Sequence, residues 1–211
     1  MATHTPLAAG RTQAERSALS DRRMIDAAID LVVERGVDGA TLKEIGERAG
    51  YSRGLATYRF GSKAGLLRAV IKAVSQRWLA ELTAAVEGKV GLDAICAAVD
   101  TYYRFATGSQ RPIHALYILF FQSIGPGAQF KDKVADVLAR QRADVRRWIE
   151  EGIAAGQIHP GVDPQRHAEQ FVATIAGVTY QWLVNPQGID FARMHDELKE
   201  TMRRALVLHA N

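Results

Sequence analysis

From residue 21 to the end of the chain the apolar residues recur at spacings of three and four, and no stretch alternates with the period of two that a half-buried strand requires. The chain therefore reads as all-α. Ile25, Ala28, Ile29 and Val32 make the first apolar stripe and Gly36 supplies a left-handed stop, so a helix is predicted over residues 21–35. Breaks at Gly91 and at residues 108–112, 125–127, 156–163 and 185–188 cut the remainder into further helices, about nine in all. Asp163 before Pro164 is another start signal, a capping carboxylate followed by a residue suited to the first helical position. Residues 1–19 are polar and aperiodic and read as a flexible arm carrying Arg11 and Arg16.

Three helix starts crowd into residues 41–63. Thr41 and Glu44 have the spacing of a capping box, in which the threonine oxygen takes the amide of Glu44 while the glutamate reaches back. Leu42, Ile45 and Ala49 give the helix that follows one apolar stripe, Gly50 permits a tight turn, and Ser52 caps a second short helix over residues 53–60. Gly61 breaks it, and Ser62 caps a long helix that runs through Leu66, Leu67, Val70, Ile71 and Val74 toward Val86. Two short helices joined by a glycine turn, with a first helix to pack across both, form a three-helix helix-turn-helix domain over residues 20–63. Residues 64–211 then make a C-terminal helical domain.

A helix of this size fits the major groove of duplex DNA. Arg53, at its start, is placed to bond the O6 and N7 atoms of a guanine, with Thr57 and Tyr58 one turn later, and Gly54 lets backbone come close. Thr41, Ser52, Ser62 and Lys63 lie at helix N-termini, where free amides favour a phosphate, and Arg59 adds positive charge. Charge agrees. The net value is only +4, yet residues 48–80 hold Arg48, Arg53, Arg59, Lys63, Arg68, Lys72 and Arg77 with no Asp or Glu, a candidate polyanion surface.

The residues 42–70, LKEIGERAGYSRGLATYRFGSKAGLLRAV, resemble the helix-turn-helix signature of the TetR family, and the likeness extends back to Arg22. The family's usual Leu-Tyr pair is here Ala56-Thr57, with the aromatic residue one place later at Tyr58. The resemblance implies a DNA-binding transcription regulator, a homodimer released from a palindromic double-stranded operator by a small-molecule effector held among the C-terminal helices. The aromatic middle of the chain, with Tyr102, Tyr103, Tyr117 and Phe121 among the polar groups His114, Gln122 and Arg140, is the candidate effector pocket. Two stripes near the end, Phe171, Ile175 and Trp182 on one helix and Met194, Leu198 and Met202 on the next, suit a four-helix dimer interface or, equally on pattern alone, the core of one subunit.

Other function classes find little support. The histidines lack paired zinc-ligand spacing, the single cysteine, Cys96, has no partner for a disulfide or a metal, and no phosphate-binding glycine loop or nucleophile elbow occurs, so no catalytic residue, metal or cofactor is expected. No leader or span of about 18 apolar residues is visible, which suggests a cytoplasmic protein with no membrane partner. Two alternatives stay open: a dimeric DNA binder without an inducer, and a helical interaction or membrane-surface protein using residues 48–80.

Overall fold

The computed structural model describes residues 12–207, and among these it contains helices only. They are α1 (Gln13–Gly39), α2 (Leu42–Ala49), α3 (Arg53–Phe60), α4 (Lys63–Val86), α5 (Gly91–Gly108), α6 (Gln110–Gln122), α7 (Lys131–Ala154), α8 (Pro164–Val184) and α9 (Phe191–Val207). No helix among the described residues is long and apolar enough to cross a membrane.

The start of α1 corrects the sequence reading. Residues 13–19 were expected in the arm, but Thr12 and Glu15 form a capping box: Thr12 Oγ1 accepts from the Glu15 amide at 3.2 Å and the Thr12 amide donates to Glu15 at 2.7 Å. Such a cap stabilises a helix start by about 1 kcal/mol, and Arg16 consequently lies on α1. The rest of the proposed arm, residues 1–11 with Arg11, lies outside the described residues. At its other end α1 kinks at Gly36, whose φ of 71° is the expected left-handed stop, before one more turn to Gly39.

The break expected at residues 108–112 is narrower than the glycine and proline suggested. Only Ser109 separates α5 from α6, and Pro112 sits in the first turn of α6, where amides lack intrahelical acceptors and a missing N–H costs nothing.

A single apolar core joins the head to the body. Met24, Leu31 and Val32 from α1, Ile45 from α2, Ala56 from α3 and Leu66, Leu67, Val70 and Ile71 from α4 are buried together, and the same cluster continues into α5, α6 and α8. Each fully buried leucine or isoleucine here contributes roughly 1.5–3 kcal/mol. A second cluster surrounds the far end of α4, where Leu82 packs with Ile95, Trp148, Phe171, Leu198 and Met202. Apolar burial therefore runs on past residue 63, the sequence boundary between head and body, and α4 belongs to both.

Two residues unremarked in the sequence hold this arrangement. Gly65 lies where α3 hands over to α4; a Cβ there would stand 2.0 Å from the carbonyl oxygen of Phe60, far inside contact distance. His195 is buried against Tyr102, Tyr103 and Phe191, with Nδ1 donating to the Phe191 carbonyl at 2.6 Å and Nε2 without a partner among the described residues. Burial lowers its pKa below the ordinary 6.5, so the folded protein keeps the ring neutral.

Two predictions follow from these contacts. Gly65→Ala forces the end of α3 away from α4 and should lower the thermal midpoint, whereas Gly54→Ala, whose Cβ would meet only Ser52 Oγ at 3.7 Å, should leave it nearly unchanged. Because the unfolded chain binds a proton at His195 more readily than the folded one, the neutral ring's full stability contribution is present above about pH 6.5 and is lost as the pH falls toward the lowered value. Melting curves over about pH 7 to 5 should show this loss, and His195→Phe should flatten it.

Candidate nucleic-acid interface and effector cavity

Capping geometry fixes the three helix starts of the head. Thr41 Oγ1 accepts from the Glu44 amide at 3.2 Å, Ser52 Oγ from the Leu55 amide at 3.2 Å and Ser62 Oγ from the Gly65 amide at 3.1 Å. Glu44 completes the box by accepting from Thr41, which holds its carboxyl below the usual range. Gly50, at φ 80°, makes the left-handed turn between α2 and α3. Gly46 makes the turn tight, since a Cβ there would lie 3.1 Å from the backbone of Tyr51 and Ser52.

The turn presents one face of α3 to solvent. Arg53, Gly54, Thr57 and Tyr58 are exposed, while Ala56 is fully buried and Leu55 and Phe60 are half-buried. Residues 53 and 57, and 54 and 58, are one turn apart and so form a contiguous outward strip. Tyr58 is 81% exposed, the largest value among the exposed large apolar side chains. An aromatic ring held this far into water at the end of a fixed helix has no role in the core.

Charge is less one-sided in space than along the chain. Arg59, expected on the DNA face, turns inward and forms a two-pronged ion pair with Asp21 of α1, its Nε 2.6 Å from the carboxylate. Arg48 pairs with Glu34 at 2.8 Å, Arg68 with Asp132 at 2.6 Å and Arg77 with Glu81 at 3.5 Å. Lys63 donates to the Asp38 carbonyl at 3.3 Å. Among the basic residues of this stretch, Arg53, Lys63 and Lys72 make no ion pair with the described residues, and Arg53 alone stands on the outward strip of α3. The partners were invisible in the stretch itself because they come from α1, α4 and α7.

The expected pocket is in part displaced. Two small adjoining clefts lie between α4, α5, α6, α7 and α8 and share Trp78, Tyr102, Gln141, Val172 and Ile175. Tyr102 and Tyr117 line them, as read from the sequence. Tyr103 instead packs on Phe191 and His195, Phe121 is half-exposed against Tyr180, and Gln122 and Arg140 are exposed on the surface. His114 lines neither cleft. Trp78, Gln141 and Trp148 were missed, although Gln141 is a polar residue on an α7 stripe otherwise made of Val134, Leu138, Val145 and Trp148, a pattern visible in the sequence.

The stripes read as a dimer interface face inward. Phe171 and Ile175 line the clefts, Trp182 stacks on Phe191 at 4.3 Å, Leu198 and Met202 are buried in the second core cluster, and Met194 packs on the first. Of the two readings open on pattern, the subunit core took these side chains. Polarity inside the cavity is ordered: Thr179 donates to the Ile175 carbonyl at 2.8 Å, so Tyr102 must donate to Thr179 at 3.1 Å and accept from Tyr117 at 3.4 Å. Burial pushes both phenols' pKa values up, and both stay protonated. Among the described residues no group of His, Cys, Asp or Glu is placed to hold a metal ion.

Residues 24–70 match the family model for bacterial regulatory proteins of the tetR family, and residues 121–207 match the model for the C-terminal part of BetI-type transcriptional repressors. This chain belongs to the TetR family. It is a helix-turn-helix, DNA-binding regulator of transcription. The HTH-type transcriptional regulator SrpR of Pseudomonas putida is 26% identical over 162 residues, covering 77% of this chain and 74% of SrpR. Two solved TetR-like structures share its fold. The complex of triclosan with SmeT, a repressor from Stenotrophomonas maltophilia, gives a TM-score of 0.79 at 22% identity over 90% of this chain and 93% of SmeT. FadR of Bacillus subtilis with stearoyl-CoA gives 0.75 at 17% identity over 87% of this chain and 98% of FadR.

For this TetR-family head the geometry separates two arginines six residues apart. Arg59→Ala should lower stability by about 1 kcal/mol or less, since its ion pair is partly exposed, and leave base preference intact. Arg53→Ala should do the reverse, with an unchanged melting curve and relaxed preference at one position of the bound sequence.

Proposed function

We propose that the chain is a homodimeric, cytoplasmic repressor that places two α3 helices in successive major grooves of a palindromic operator and is released when a small molecule fills the cavity behind α4. The outward strip of α3, with Arg53, Thr57 and an exposed Tyr58 on a helix fixed by two caps and a glycine turn, carries this reading. Thr41, Ser62 and Lys63 flank it at helix N-termini suited to phosphate. The small-molecule part is supported by the clefts themselves and by the triclosan and stearoyl-CoA bound to SmeT and FadR.

For the dimer, support comes from the side of α8 that the subunit leaves uncovered. Thr174, Gln181 and Val184 are exposed there, with the half-buried Gly177 between them along the helix. Gly177 has no heavy atom within 4 Å of where a Cβ would stand, so nothing inside the subunit requires glycine, and a mid-helix glycine costs about 0.5–1 kcal/mol relative to alanine. A second helix packed closely on this face would account for it.

Coupling between cavity and head has two routes. Trp78 and Leu82 of α4 line a cleft while Leu66 and Leu67 of the same helix pack into the head. Tyr117 and Phe120 of α6 line the other cleft, and Arg111 at the start of α6 holds Asp30 at 2.6 Å and Glu34 at 3.1 Å on α1. Glu34 also binds Arg48 of α2, and these two arginines hold its carboxyl below the usual range. An effector releases DNA only by preferring the conformation that does not fit the operator.

Selection of bound sequences from random duplex DNA tests the reading. A palindrome bound with steep salt dependence is expected, and sequence-blind binding would remove the regulator reading for this surface. Gly177→Arg should yield monomers in sedimentation and lose operator binding, while keeping its helical spectrum. Arg111→Ala should bind the operator but need more effector for release.

A further inference from the structure

The charge inventory of the cavity restricts what can enter it. Among the described residues no Lys, Arg or His lines either cleft, and the one carboxyl group that does is Asp144 of α7, beside Trp78, Trp148, Tyr102 and Phe171. Its side chain is 19% exposed. Arg147 touches it at 3.1 Å, but Arg147 is 55% exposed and also reaches Glu151 at 3.7 Å, so one guanidinium, itself largely in water, serves two carboxylates. Arg140, the other nearby cation, is on the exposed side of α7. Asp144 therefore reaches the cavity as a carboxylate with incomplete compensation, and burial raises its pKa in spite of both arginines.

We propose that the effector cavity takes a lipophilic monocation, an aromatic or alkyl molecule with one ammonium or delocalised positive charge, and that Asp144 is its counter-ion. This rests on the reading of the clefts as the effector site. The electrostatics point one way. A buried cation gains from Asp144 and from the electron-rich faces of Trp78 and Trp148, which attract positive charge within about 6 Å. A buried anion finds no cation and meets Asp144, a pairing that costs more than leaving the anion in water. The second cleft accepts the apolar remainder of such a molecule, with Phe105, Tyr117 and Phe120 on its walls and Ser75 Oγ, buried without a partner among the described residues, free to take one hydrogen bond. An acyl-CoA of the kind bound to FadR, with its several phosphates, does not fit this lining.

The test uses the full-length protein and three fluorescent probes of different charge: rhodamine 6G as the cation, Nile red as the neutral molecule and 8-anilinonaphthalene-1-sulfonate as the anion. Rhodamine 6G should bind and quench tryptophan fluorescence. Asp144→Asn should weaken it about tenfold or more while leaving Nile red within about twofold, and Asp144→Glu should restore part of the loss. Unchanged rhodamine affinity in a folded Asp144→Asn protein, or binding of the sulfonate as tight as that of rhodamine, would overturn the assignment while leaving an effector cavity in place. If no probe binds, or if Ala98→Phe, which fills the first cleft, changes no affinity, the effector-site reading itself falls and the assignment with it.

Discussion

The burial of α4 on two sides at once is the constraint on which the rest of this structure depends. Its first turns are held by Leu66, Leu67, Val70 and Ile71 in the core of the head, and its later turns put Trp78 and Leu82 against the cavity. At about 1.5 Å per residue the 24-residue helix is roughly 36 Å long, so a small tilt at one end becomes a larger displacement at the other. Gly65 permits the close joint with α3 that makes this lever stiff where it meets the reading helix. A looser joint would absorb the tilt before it reached the DNA.

Arginine chemistry divides the head into a part that is fixed and a part that is free. Arg48, Arg59, Arg68 and Arg111 each bind a carboxylate on another helix, tying α2 and α6 to α1, α3 to α1 and α4 to α7. Arg53 is held by no such partner among the described residues and projects with Thr57 and Tyr58. Individually these exposed pairs are worth little, on the order of 0–1 kcal/mol. Their combined effect is orientation, because a planar guanidinium bound to two or three oxygens sets the direction of approach as well as the distance.

The local grammar of the head was legible from the sequence because it is made of short-range rules. The cap and turn residues Thr41, Gly50, Ser52, Gly61 and Ser62 act within a few residues of themselves, and all five stand where the pattern placed them. The same kind of signal at Thr12 and Glu15 was present and overlooked, so the first helix begins eight residues earlier than expected. What the sequence could not reveal was pairing between distant segments. Arg59 reads as a free cation until Asp21 is beside it, 38 residues away in the chain. Phe171 and Ile175 read equally well as interface or core, because periodicity says which side chains share a face and nothing about what covers it. Of the candidate pocket residues only Tyr102 and Tyr117 line the cavity, whereas Trp78 reaches it from α4, outside the aromatic-rich segment, and Gln141 and Trp148 from the face of α7 opposite the exposed Arg140.

Whether filling the cavity moves the heads is the central claim, and the distance between the two heads of the dimer measures it most directly. Spin labels at Glu47→Cys on the exposed side of α2, in a Cys96→Ser background, would report that distance by pulsed electron paramagnetic resonance, with Ala98→Phe standing in for a bound molecule. The predicted result is a shifted head-to-head distance together with weakened operator binding in the filled protein. An unchanged distance and unchanged operator affinity in a folded, dimeric Ala98→Phe protein would contradict it, and would leave α4 as a structural strut with no part in release.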